Sequence, residues 1–154
     1  MSETRLHASC ASVDGCGVLL LGPPGTGKSS LVLRLIDQPG TGIGGKLRMA
    51  RLVADDQVVI RRSGNQLTAS APPVLAGKLE IRGLGIVDID FCPSVNLVLV
   101  VKLMSADDID RMPEPDACRT DLLGVELSLL HVDGNDPAGP ARIRAAIDLW
   151  CKAP

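Results

Sequence analysis

At 154 residues the chain has the length of one domain, and 45% hydrophobic residues with a mean hydropathy of +0.23 are enough to bury a core. A net charge of −2, a pI near 5.6, one Phe, one Trp and no Tyr supply neither the basic footprint nor the stacking platforms of a nucleic-acid binder. Five cysteines without a C-x₂-C pair argue against a disulfide or zinc framework, and no apolar run has signal-peptide or membrane-spanning character, so a cytoplasmic protein with no membrane partner is expected.

Residues 5–13 (RLHASCASV) predict a short strand, and Asp14-Gly15 a tight turn into the next one, which puts His7 on a strand antiparallel to it. The apolar run 18–21 leads into Gly22-Pro23-Pro24-Gly25-Thr26-Gly27-Lys28-Ser29. Beyond it, Leu31/Leu35 and Val32/Ile36 recur at i, i+4, the spacing of an amphipathic helix that should stop at Gln38-Pro39-Gly40. The glycine-rich stretch 39–46 reads as a mobile spacer, since no strand or helix brackets it as a second phosphate cradle requires.

Residues 51–54 predict a strand ending in Asp55-Asp56, and 57–62 with 66–70 a hairpin around Ser63-Gly64-Asn65. Ala71-Pro72-Pro73 breaks the chain, 74–78 predict a helical turn, and 79–82 and 86–89 are extended on either side of Gly83-Leu84-Gly85. Residues 95–103 (VNLVLVVKL) are almost continuously apolar and β-branched, as in a central strand buried on both faces. Asp107, Asp108 and Asp110 read as capping or solvated carboxylates rather than metal ligands. Residues 111–121, with two prolines and several charges, read as loop. A strand over 125–132, a turn over 133–137 and a helix over 142–152, with Ile143, Ile147 and Trp150 on one face, complete the chain. The fold class is therefore α/β: a single domain with a mixed sheet and flanking helices.

The glycine-rich segment fits G-x-x-x-x-G-K-[ST] in its strand-to-helix setting. Its glycines let successive backbone N–H groups turn toward phosphate oxygens, and the start of the helix adds unpaired N–H donors and the positive end of its dipole. Lys28 would reach the β- and γ-phosphates and the Ser29 hydroxyl would sit on Mg²⁺. Such a site also needs carboxylates at a strand end for the metal and for a base. Asp55 and Asp56 occupy such a position, or else are two turn aspartates. The residues alone point to an ATP-using kinase or ATPase with no named acceptor.

Two further stretches carry a resemblance. Residues 51–60 (RLVADDQVVI) and 79–89 (LEIRGLGIVDI), with Ala71-Pro72-Pro73 between them, resemble the signatures of the HPr kinase/phosphorylase family, and the similarity spans about residues 7–89. The resemblance implies the P-loop fold that this family shares with PEP carboxykinase, with ATP and Mg²⁺ as cofactors and an HPr-type phosphocarrier as partner. It implies that Gly22, Pro23, Pro24, Gly25, Thr26, Gly27, Lys28, Ser29 and Ser30 line the ATP phosphates, with Lys28 on the transferred group. It further implies Ser29 and Glu80 on Mg²⁺, and Asp56 as the base for the acceptor serine with Asp55 beside it. His7 would tune that carboxylate pair, and Arg82, Gly83 and Gly85 would bring their loop to the phosphates. For Glu80 and Arg82 a cross-strand ion pair is the competing reading, and for His7 an ordinary strand-surface histidine.

The sequence also departs from the family pattern. Ser30 stands where a glutamate is usual, Asp14 where an aromatic is usual, and residues 38–50 form a longer connection. Neither the family's N-terminal regulatory domain nor its C-terminal proline-glycine-arginine-asparagine stretch is recognisable. The expectation is a truncated, catalytic-core form in which kinase activity is favoured over phosphorolysis. A homo-oligomer is compatible with the resemblance. A nucleotide-responsive regulator with little transfer activity and a small-metabolite kinase are the alternatives.

Overall fold

The computed structural model describes residues 2–151. In chain order the elements are β1 (Ser2–His7), β2 (Ser9–Val13), β3 (Cys16–Leu21), α1 (Lys28–Asp37), β4 (Ala50–Ala54), β5 (Gln57–Ser63) and β6 (Gln66–Ser70). They continue with β7 (Lys78–Ile81), β8 (Gly85–Asp88), β9 (Val95–Leu103), β10 (Arg119–Leu122), β11 (Val125–Val132) and α2 (Gly139–Trp150). Nine strands join one sheet in the order β1-β5-β6-β9-β3-β2-β4, with β11 also on β9 and β10 on β11, while β7 and β8 form a separate hairpin.

β3, β9 and β11 are mutually parallel, and the other pairings are antiparallel. The carboxyl ends of β3, β9 and β11 therefore share one edge, where Leu21 lies opposite Lys102 and Val132 opposite Leu103. β4 is antiparallel to β2, which is antiparallel to β3, so Ala54 also ends at that edge. This topology is why a phosphate loop after β3 and an acid pair after β4 can meet.

Both faces of the central strands are covered. On one face Val18, Leu20, Leu99 and Val101 pack with Leu31, Val32 and Leu35 of α1 and Ile143 and Ile147 of α2. On the other, Leu19, Leu97 and Val100 pack with Val58, Ile60, Leu67 and Ala69, because the sheet curls and brings β5 and β6 over it. The continuous apolar character of β9 follows from this double burial, and β9 is central as its sequence predicts. Each fully buried Leu or Val contributes about 1.5–3 kcal/mol, so Leu31→Ala, at the helix–sheet contact, would cost about 2–5 kcal/mol.

Several expectations need correction. The strand expected over 5–13 is two strands separated at Ala8. β2 pairs with β3, whereas β1 crosses to β5, placing His7 opposite Gln57. His7 is therefore on a strand that does not pair with β3, although the ladders leave β1 running opposite to it. The connection 39–46 is not a free spacer: the Asp148 carboxylate accepts hydrogen bonds from the N–H groups of Ile43 and Gly44, and Gly40 bridges to Arg48. Arg144, only 1% exposed, donates to the carbonyls of Arg48 and Leu35 and ties the end of this connection to α1. The stretch 111–121 contains a 3₁₀ turn (Pro115–Cys118) and most of β10, which forms a hairpin with β11 through Leu123 and Gly124, both at positive φ. The expected helical turn at 74–78 is a 3₁₀ turn at Pro73–Leu75, and Lys78 already belongs to β7. α2 begins at Gly139 and not at 142, with Pro140 in its first turn. Trp150 continues the face of Ile143 and Ile147 at the end of the helix but is 40% exposed. Lys152, assigned to this helix by its sequence pattern, lies outside the described residues. No described helix is long and apolar enough to cross a membrane.

Candidate functional site

The loop between β3 and α1 is shaped by its own contacts. The Thr26 hydroxyl donates to the Pro23 carbonyl at 2.7 Å, and Gly27, in the left-handed region at φ 98°, leads directly into α1. A methyl group on Gly22 would lie 2.7 Å from Thr26 Oγ1 and 3.2 Å from Leu103 Cβ, so only glycine lets the loop leave β3 against the end of β9. α1 carries no side-chain cap and no acid in its first turn. Its leading N–H groups are thus left for an external anion. Lys28 Nζ rests on carbonyls of its own loop, 2.6 Å from Gly22 O and 3.1 Å from Pro23 O.

Asp55 and Asp56, one residue apart, face different surroundings. Asp55 is 6% exposed; its Oδ1 accepts hydrogen bonds from Ser9 Oγ (2.7 Å) and Ser29 Oγ (2.8 Å), and its Oδ2 from the Glu80 N–H (3.2 Å). One carboxylate thereby joins β2, the first turn of α1 and the β7–β8 hairpin. Asp56 is exposed at φ 70°, a conformation uncommon for a residue with a side chain and best tolerated by Asp and Asn. The Asp56 carbonyl accepts from the Ala8 N–H, and the Asp56 carboxylate faces the cleft without a hydrogen-bond partner among the described residues.

That cleft has a volume of about 230 Å³ and gathers Pro24, Gly25, Gly27, Lys28, Ser29, Ser30, Asp55, Asp56, Glu80, Arg82 and Ser9. Residues from three separate stretches that the sequence singles out, 24–30, 55–56 and 80–82, thus converge on one surface. Gly22, Pro23 and Thr26 shape the loop from behind without lining the cleft. Gly83 and Gly85, at φ 91° and 94°, form the exposed tip of the β7–β8 hairpin outside it. Glu80 and Arg82 make no ion pair with each other among the described residues, and both line the cleft. His7 is exposed and lies outside the lining, beside the acid pair only through the pairing of β1 with β5. Ser9 is the member that sequence reasoning missed; the one available signal is a small polar residue within an otherwise buried strand.

The chemistry open to this arrangement is phosphate binding next to one engaged and one free carboxylate. No cluster of three His, Cys, Asp or Glu side chains able to hold a metal occurs among the described residues. A Mg²⁺ ion that takes most of its oxygens from phosphates and water needs only one or two from protein. Ser29 Oγ donates its hydrogen bond to Asp55, leaving lone pairs for a cation, and Glu80 lines the same cleft. No cysteine lines the cleft, and burial pushes the Cys10 thiol far up and Cys151 up to about 11.

The family model described as HPr Serine kinase C-terminal domain matches residues 1–136. The HPr kinase/phosphorylase of Clostridium botulinum (strain Eklund 17B / Type B) is 35% identical over 155 residues, covering 94% of this chain and 46% of that protein. The HPr kinase/phosphorylase of Chlorobium phaeobacteroides (strain BS1) is 37% identical over 142 residues, 85% of this chain and 39% of that protein. Among solved structures, the Hpr(Ser) kinase/phosphatase from Coxiella burnetii is similar with a TM-score of 0.72 and 26% identity over 94% of both chains. The chain spans about half the length of the curated relatives it matches.

Proposed function

The chain belongs to the HPr serine kinase C-terminal domain family, and from that membership we propose that it is an ATP- and Mg²⁺-dependent kinase that phosphorylates a serine of an HPr-type phosphocarrier protein. Such an acceptor implies work in the cytoplasm. The single observation that carries the reading is the division of labour between two adjacent carboxylates: Asp55 accepts from three donors, while Asp56 has no hydrogen-bond partner among the described residues in the cleft that Lys28 also lines.

In this reading the loop N–H groups and the start of α1 hold the phosphates, and Lys28 leaves the carbonyls of Gly22 and Pro23 to reach the transferred group. Mg²⁺, when bound, would neutralise charge on the β- and γ-oxygens, held from the protein side by Ser29 and Glu80. Asp55 keeps the Ser29 hydroxyl turned so that its lone pairs face outward. Asp56 takes the proton from the incoming serine hydroxyl as its oxygen bonds to phosphorus and the bond to the ADP oxygen breaks. In phosphorolysis, inorganic phosphate would attack the phosphorus of the phosphoserine and form pyrophosphate as the bond to the serine oxygen breaks, with Asp56 returning a proton to that oxygen. His7, exposed beside Gln57, acts at most through the turn that carries Asp56.

The test is incubation of the chain with γ-labelled ATP, Mg²⁺ and HPr-type proteins, including the nitrogen-branch paralogue. The proposal expects label on a serine of at least one of them. Label on none, with Mg²⁺ and ATP binding both verified, contradicts it.

A further inference from the structure

The cleft beside Asp56 holds only about 230 Å³, below the roughly 300–1,000 Å³ of sites that enclose a whole organic ligand. It is large enough for phosphates but leaves a nucleoside unaccounted for. If the γ-phosphate faces Asp56, the rest of the nucleotide must leave the phosphate loop by its other flank. That flank is walled by the turn 133–136 after β11. Gly134 packs so tightly on the loop that a methyl group there would collide with the Thr26 carbonyl, and a methyl on Gly27 would lie 3.4 Å from Gly134 O. Arg34 of α1 donates to the carbonyls of Gly134 and Asp136 and fixes the turn to the helix that begins at the loop.

Behind this turn, at the carboxyl ends of β9 and β11, lies a cleft of about 600 Å³ whose lining includes Ile109, Arg111, His131, Asn135 and Arg142 together with three carboxylates, Asp110, Asp133 and Asp136. It runs on into a more apolar recess of about 280 Å³ that shares Ile109, His131 and Arg142 and ends near Trp150. The turn is rigid. The Asp133 carboxylate is taken up by the N–H groups of Ala106 and Asn135, and that of Asp136 by the Ala138 N–H and Arg142 Nε. The side chains of Asn135 and His131 line the cleft without a hydrogen-bond partner among the described residues.

We propose that this second cleft receives the nucleoside of the bound nucleotide, with the ribose at Asn135 and the base between Ile109 and the His131–Arg142 side. The inference rests on the nucleotide reading of the phosphate loop and adds to it a subsite with named residues. In open α/β sheets a ligand lies outside the carboxyl ends of the parallel strands, and here those ends belong to β3, β9 and β11. An aliphatic side chain facing an imidazole and a planar guanidinium makes a slot for a flat aromatic ring with polar edges.

Calorimetric titration of the full chain with Mg²⁺-ATP and with Mg²⁺-tripolyphosphate separates the two clefts. Two variants are compared with wild type: the double variant His131→Ala/Asn135→Ala, and Ile109→Trp, which fills the slot. A loss of about tenfold in ATP affinity in either variant, with tripolyphosphate affinity within twofold of wild type, supports the subsite. Unchanged ATP affinity in both variants, or equal loss of both ligands in both, overturns it. If wild type binds neither ligand, the nucleotide reading itself falls and the subsite falls with it. If wild type binds both and the variants discriminate nothing, only the subsite falls.

Discussion

Ser9 Oγ lies 2.7 Å from Asp55 Oδ1 and donates to it across 46 residues of sequence, from a position 1% exposed to solvent. The contact anchors the one carboxylate that also receives Ser29 and the Glu80 N–H. Ser9→Ala removes one of three donors and is expected to cost about 1.5 kcal/mol, whereas Asp55→Ala strands three buried or half-buried donors and should cost about 3 kcal/mol or more. Urea denaturation of both variants checks the order. Equal costs, or none for Ser9→Ala, would mean the contact does not hold the site together.

That contact also shows where sequence reading stops. The phosphate loop was legible because its residues are consecutive and their spacing is itself the chemistry. Asp55-Asp56 was legible as a strand end, and Glu80 and Arg82 as part of a family-like block. Their convergence on Lys28 depends on β4 running parallel to β3 with β2 between them, which no local pattern states. The break at Ala8 carries no Gly or Pro to announce it, so His7 was placed on the wrong strand pair. β10 was hidden because its hairpin turns on Leu123-Gly124, without the Asn-Gly or Asp-Gly that marked the β2–β3 turn. The anchoring of 39–46 by Asp148 lies about a hundred residues away and could not be read locally.

Among the described residues Lys28 Nζ donates only to two carbonyls of its own loop, one of them at an exposed position. Lys28→Met should leave the denaturation midpoint nearly unchanged while weakening ATP binding about ten- to hundredfold, the worth of one charge-assisted bond to phosphate. Paired thermal melts and nucleotide titrations measure both. A large loss of stability would make Lys28 a structural residue.

Gly134 has no room for a side chain against the Thr26 carbonyl. Gly134→Ala is expected to cost about 1–3 kcal/mol by overpacking and to weaken ATP binding, because the displaced neighbour is the phosphate loop. Denaturation and titration of the same preparation test the pair of effects. Lost stability with intact ATP binding would mean that the turn and the loop are not coupled.

The Asp148 carboxyl is opposed by burial, yet hydrogen bonds from Arg48 and from the N–H groups of Ile43 and Gly44 hold it below the ordinary aspartate value. A depressed folded-state pKa contributes stability that is complete above the unfolded value, about 3.9, and is lost as pH falls through the folded value. Asp148→Asn should therefore be less stable than wild type at pH 7, with the gap closing below about pH 4. Denaturation midpoints across the acid range follow this gap. A gap that persists unchanged at pH 2–3, or widens, would contradict the assignment.

Asp56 provides the most direct test of the whole account. Asn tolerates the left-handed backbone at this position as Asp does, so Asp56→Asn should keep both the fold and the cleft. Single-turnover transfer from γ-labelled ATP to an HPr-type acceptor, measured beside equilibrium ATP binding for wild type and Asp56→Asn, isolates the carboxylate. The account predicts that transfer falls by about 10²–10⁴-fold while ATP affinity stays within about threefold. Transfer by Asp56→Asn at the wild-type rate would contradict it.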